Sequence, residues 1–131
     1  MGLFRRKNNR RLMLDAITKV HILFNKYYKI LTELAYANLR GIPKVDHLKD
    51  LGNFTLPVTH ELDIITINAN QYHEKMKSKL KGNRSTSPQQ IETYCNEMKK
   101  RLTNMLKFKS VSELRDLISE IEKIIMMLPE D

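Results

Sequence analysis

RRLMLDAITKVHILFNKYYKILTELAYANLR, residues 10–40, decides the fold class. Within it Met13, Ile17, Val20, Phe24, Tyr27, Leu31 and Leu34 alternate spacings of four and three, the a/d seam of a helix. Ala16, Leu23, Ile30 and Ala37 recur every seven residues beside that seam and widen it. So wide an apolar face suits a helix packed against two neighbours better than a two-stranded zipper. The spacing predicts a first helix over residues 10–40, about 45 Å long at ~1.5 Å per residue, ended by Gly41 and Pro43.

Similar seams recur downstream. Thr59 reads as an N-cap, with Glu61 and Asp63 complementing the positive end of a second helix; its stripe is Leu62, Ile65, Ala69, Tyr72 and Met76, and Gly82 stops it. Ser87, Pro88 and Gln90 form a capping box for a third, carrying Ile91, Cys95, Met98, Leu102 and Met105. Ser110 and Glu113 make another for a fourth, with Val111, Leu114, Ile118, Ile121, Ile125 and Leu128, ended by Pro129. Residues 41–58 are too apolar for a free loop. They read as a structured crossover: a short helix over 43–51, then an extended segment between Gly52 and Pro57. Short connections make the last three helices antiparallel neighbours. The expectation is an all-α, up-and-down antiparallel four-helix bundle. Residues 12–131 form its single domain and residues 1–11 a basic N-terminal arm.

At 131 residues, the chain is long enough for one core without staples. Hydrophobic residues at 41% and charged residues at 29% argue against wholesale disorder. Cys95 stands alone on an apolar helical position and reads as a buried, reduced thiol. No apolar run reaches the roughly 20 residues of a membrane span. The N-terminus is too charged for a secretory signal, and Arg6 breaks the myristoylation pattern. The expected setting is neither secreted nor transmembrane, but cytoplasmic or within a viral or nucleoprotein particle.

Charge is the second signal. Of the net +8, residues 1–11 hold +5, residues 12–72 balance, residues 73–110 hold +7 and residues 111–131 hold −4. Arg5, Arg6, Lys7, Arg10 and Arg11, with no acid among them, suit phosphate, because guanidinium forks bind it bidentately and displace counterions. Lys75, Lys77, Lys79, Lys81 and Arg84 extend that set. Most of this second cluster, with Lys99, Lys100, Arg101, Lys107 and Lys109, is explained locally by dipole complementation at helix ends and by Glu113, Asp116 and Glu120 of an antiparallel fourth helix. Leu3 and Phe4 at the tip, with Tyr28 and Tyr36 off the main seam, are candidate contacts with a protein partner. Two apolar tip residues give too little affinity for a membrane surface to be the favoured partner.

Catalysis finds little support. His21, His47, His60 and His73 form neither a Glu-x-x-His nor a His-x-x-x-His pair, so neither metal nor cofactor is expected. No nucleophile elbow, phosphate-cradling loop or base-reading motif is present. Arg40 and His47, separated by six residues, resemble the Arg-x(4–6)-His pattern of HEPN-type ribonucleases, although Gly41, Ile42 and Pro43 break the helix between them. That resemblance implies RNA cleavage in a dimer cleft. The favoured expectation is a non-enzymatic structural or accessory component of a larger assembly, such as a phage or viral particle or a nucleoprotein complex. It docks by helical faces and sets its basic arm on nucleic-acid backbone or an acidic partner surface. A protein–protein adaptor or regulator without a nucleic-acid role is the alternative, and the nuclease a third. Stripes this wide serve monomers and helical oligomers alike, so a homo-oligomer stays open.

Overall fold

Asn8 starts the first helix. Its backbone is extended, with φ −74° and ψ 169°, and its side chain accepts from the Arg11 N–H at 2.8 Å. This satisfies one of the orphan donors at a helix start. α1 runs over Asn9–Lys26 and buries Met13, Ala16, Ile17, Val20 and Phe24. The computed structural model describes residues 8–33, 45–79, 88–105 and 110–131. Throughout those residues the regular structure is helical, without a strand.

The expected single helix over 10–40 is corrected at Tyr27, which is a turn with φ −102° and ψ 10°. Helix resumes over 28–33. The helical hydrogen-bond pattern bridges the turn, Tyr27 N–H to Leu23 at 3.0 Å and Leu31 N–H to Tyr27 at 2.9 Å. Leu34, Tyr36, Ala37 and Arg40 lie outside the described residues.

The crossover is the larger correction. Where a short helix, an extended segment and a new start at Thr59 were expected, α2 is one 35-residue helix, Val45–Lys79, with Pro57 inside it. Proline removes a helical N–H and its ring crowds the carbonyl four residues back, costing ~3 kcal/mol. Packing outweighs that cost. Phe54, Val58, Leu62, Ile65, Ala69, Tyr72 and Met76 continue one face through the proline, and all are buried. Burial of each large apolar side chain gains about 1.5–3 kcal/mol. Thr59 is therefore not a cap. Its hydroxyl donates to the Thr55 carbonyl at 2.7 Å, an internal back-bond. Glu61, expected in a first turn beside the positive end of the dipole, is a buried mid-helix residue. One of its oxygens lies 4.0 Å from the Lys19 ammonium and the other has no hydrogen-bond partner.

The later elements follow their sequence signals. α3 spans Pro88–Asn104, with proline at the first helical position. α4 spans Val111–Met127, and Ser110 caps it by accepting from the Glu113 N–H at 3.1 Å. All five stripe residues expected on α3 and all six on α4 are buried.

α1 packs on α2 and α4, α2 on α3, and α3 on α4. Asn9 bonds Asn68, Lys19 faces Glu61 and Tyr27 meets Phe54, so residue numbers fall along α2 as they rise along α1. Arg10 reaches Ile125 and Tyr28 approaches Arg115, giving the same sense for α1 and α4. No helix among the described residues is long and apolar enough to cross a membrane.

Candidate nucleic-acid interface

Three helix ends meet at one polar junction: the start of α1, the last turns of α2 and the segment after α4. The Asp131 carboxylate, its side chain fully enclosed, accepts from the backbone N–H of Asn9 at 3.0 Å, that of Arg10 at 3.1 Å and Lys75 Nζ at 2.8 Å. It thus caps α1 from 122 residues away. Arg10 reciprocates. Its guanidinium donates to the carbonyls of Ile125 at 3.2 Å and Met126 at 3.3 Å, satisfying acceptors at the end of α4. Asn9 Nδ2 donates to Asn68 at 2.8 Å and Gln71 at 2.9 Å, and the Tyr72 hydroxyl donates to the Pro129 carbonyl at 2.6 Å.

Electrostatics follow from this enclosure. Burial of the Asp131 carboxyl opposes its ionisation, but hydrogen bonds from Lys75, Arg10 and Asn9 outweigh it and hold the acid below the usual carboxylate range. Burial, with the Asp131 charge nearby, pushes the Tyr72 phenol well above its ordinary value.

The expected cations divide here. Arg10 and Arg11 lie in the first turn of α1, not ahead of it. Arg10 is engaged with α4 and sits 3.8 Å from Glu130, while Arg11 lies 3.4 Å from Asp15. Lys75 binds Asp131, and Lys77 lies 3.2 Å from Glu74. Lys79 belongs to α2. Arg10, Arg11, Lys75 and Lys77 each therefore have a carboxylate within ion-pair range. Arg5, Arg6, Lys7, Lys81 and Arg84 of the candidate set lie outside the described residues, as do Leu3 and Phe4. Both segments join the chain at the junction, residues 1–7 before Asn8 and residues 80–87 after α2.

The other basic cluster sits elsewhere. Lys99, Lys100 and Arg101 lie toward the end of α3, and Arg101 bonds Glu97 at 2.7 Å and Glu120 at 2.8 Å. Those hydrogen bonds lower the Glu97 carboxyl and raise the guanidinium. Lys107 and Lys109 are outside the described residues.

Tyr28, expected as a partner contact, is exposed; its ring meets Phe24 edge-on at 5.6 Å and carries the Arg115 guanidinium at 5.9 Å. Tyr36 lies outside the described residues. So does Arg40 of the ribonuclease-like pair, while His47 belongs to α2. Sequence reasoning missed Asp131, Asn9, Asn68 and Gln71, because none carries a local signal. Among the described residues, no group of three His, Cys, Asp or Glu could hold a metal ion. Compared with protein-family models, curated proteins and solved structures, the chain matches none.

Proposed function

We propose that this chain is a non-enzymatic structural or accessory component of a larger assembly. In this reading its architecture is an up-and-down antiparallel four-helix bundle with a basic arm. It docks by helical faces, with residues 1–11 and 75–84 set against nucleic-acid backbone or an acidic partner surface. The observation that carries the reading is the polar junction, because it joins the roots of two basic segments separated by more than sixty residues in sequence. Cations gathered from two segments at one end give a local potential that neither reaches alone. Arg10 and Lys75 hold that end together across helices, while Arg11 and Lys77 pair within their own, and the reading sets Arg5, Arg6, Lys7, Lys81 and Arg84 against the partner.

The test is fluorescence anisotropy with labelled DNA and RNA over a salt series, on the full chain and on a variant lacking residues 2–7. That deletion spares Asn8 and the junction. Removing three phosphate contacts flattens the log–log salt slope by about 2–3 units. An unchanged slope, or no binding by the full chain at low salt, removes the clamp. The adaptor reading then takes its place, supported by the exposed Ile22, Tyr28, Leu56, Ile67, Met126 and Met127. The ribonuclease reading is addressed in the same samples, since RNA cleavage lost in His47→Ala would support it.

A further inference from the structure

A second polar site lies between α1 and α4, fourteen residues along α1 from Arg10, or about 21 Å at ~1.5 Å per residue. It is a cleft of about 480 Å³ lined by His21, Phe24, Asn25, Tyr28, Arg115 and Ser119. That volume lies within the roughly 300–1,000 Å³ range of small-ligand sites.

Arg115 gives the cleft its character. Arg10, Arg11 and Arg101 are each held by carboxylates within 4 Å, whereas no described carboxylate lies in ion-pair range of Arg115. Its guanidinium sits over the Tyr28 ring at 5.9 Å. A guanidinium held by a ring rather than a carboxylate suits a phosphate, which its planar fork of N–H donors can bind bidentately. Behind the lining residue His21, Glu122 Oε2 lies 3.3 Å from the buried Nε2, which has no aligned hydrogen bond. Arg115 and Glu122 are seven residues apart on α4, about 10 Å along the axis. Arg115 is thus the cation of the lining, and Glu122 stands behind it. The rest of the wall is the aromatic side chains of Phe24 and Tyr28 and the hydrogen-bonding groups of His21, Asn25 and Ser119.

From this lining we infer that the α1–α4 cleft binds one nucleotide unit, with its phosphate on Arg115 and its base along the aromatic wall toward Asn25. Adenine suits Asn25, since an asparagine amide pairs with its N6 and N7 edge. The unit could come from a free mononucleotide or from a single strand, and the chemistry is the same. This inference stands apart from the basic arm, because none of its residues belongs to the junction.

The experiment is calorimetric titration of the full chain at low salt with AMP, adenosine, inorganic phosphate and a short oligo(dA), repeated on Arg115→Ala and Arg115→Lys. Arg115 is exposed, so both variants should unfold at the wild-type midpoint. The expected result is AMP binding about tenfold or more tighter than adenosine or phosphate, lost about tenfold in Arg115→Ala and only partly restored by lysine. Arg115-dependent binding of AMP points to the free nucleotide as the source. Arg115-dependent binding of the oligomer alone points to a strand. No saturable binding of either, equal affinity for AMP and adenosine, or an Arg115→Ala variant that binds like wild type would each overturn the site. Deleting residues 2–7 leaves this binding intact, so its failure and failure of the arm are read separately.

Discussion

Replacing Asp131 by asparagine tests the junction at its centre. The side chain keeps its shape and one acceptor oxygen, but the negative charge is lost and an amide N–H₂ faces backbone donors. Two backbone N–H groups at the start of α1 depend on the carboxylate. Losing such a cap costs about 1 kcal/mol. The anion also sits at the positive end of the α1 dipole, for about 0.3–1 kcal/mol more. Its bond to the partly exposed Lys75 adds about 0–1 kcal/mol, as at other half-solvated ion pairs. Together these give a loss of about 2 kcal/mol at pH 7. With an unfolding entropy of roughly 2.1 cal/mol/K per residue, a 131-residue chain should then melt about 7 °C lower.

The pH dependence is a stricter check. The Asp131 carboxyl is held below its ordinary value in the folded chain, so the unfolded chain takes up the proton first. Its stabilisation is fully present above the unfolded value of about 3.9, and is lost as pH falls through the lower folded value. Urea denaturation of wild type and Asp131→Asn between pH 7 and pH 2.5 should therefore show a gap that is constant above about pH 5 and closes in acid. A gap that is independent of pH, or a variant as stable as wild type at pH 7, refutes the account of the junction.

Three further outcomes follow from burial. Tyr72 should stay protonated in native protein at a pH that ionises free phenol, so the 295 nm absorbance step completes only on alkaline unfolding; ionisation of all five tyrosines before unfolding contradicts its enclosure. Cys95 is buried and its thiol is pushed up by that burial, so DTNB should label it no faster than the chain opens; rapid stoichiometric labelling would show an accessible sulfur. Glu61 keeps a buried oxygen without a hydrogen bond and only a distant lysine, so Glu61→Leu should raise stability by about 1 kcal/mol in chemical denaturation; a loss of that size would mean the carboxylate is better compensated than its contacts imply.

Helical periodicity made the core legible. Met13, Ile17, Val20 and Phe24 on α1, and the stripes of α3 and α4, are buried where spacing put them, because a four–three repeat has one helical solution. Ser110 was legible because its cap is made within four residues. The start of α2 was not. Gly52 and Pro57 are local breakers, while the face that overrides them, Phe54 and Val58 leading into Leu62, gains its energy from helices distant in sequence. The junction was illegible for the same reason: Asp131 has no motif around it, and its partners Asn9, Arg10 and Lys75 are brought near only by the fold. Arg10 and Arg11 look identical to Arg5 and Arg6 in sequence, and only capping and the Asp15 contact set them apart.

The long-range cap of α1 also bears on how the chain matures during synthesis. Asn9 leaves the ribosome 122 residues before the carboxylate that satisfies its N–H. At ~5–20 residues per second, the first helix waits roughly 6–24 s for that partner. Over that interval the α1 start has Asn8 as its own cap, while Arg10 has yet to meet the carbonyls of Ile125 and Met126. The α1 start is thus locked to α2 and to the segment after α4 only once Asp131 has been made. A partner that requires the junction would bind chains in which Asp131 has reached α1 and pass over those in which it has not.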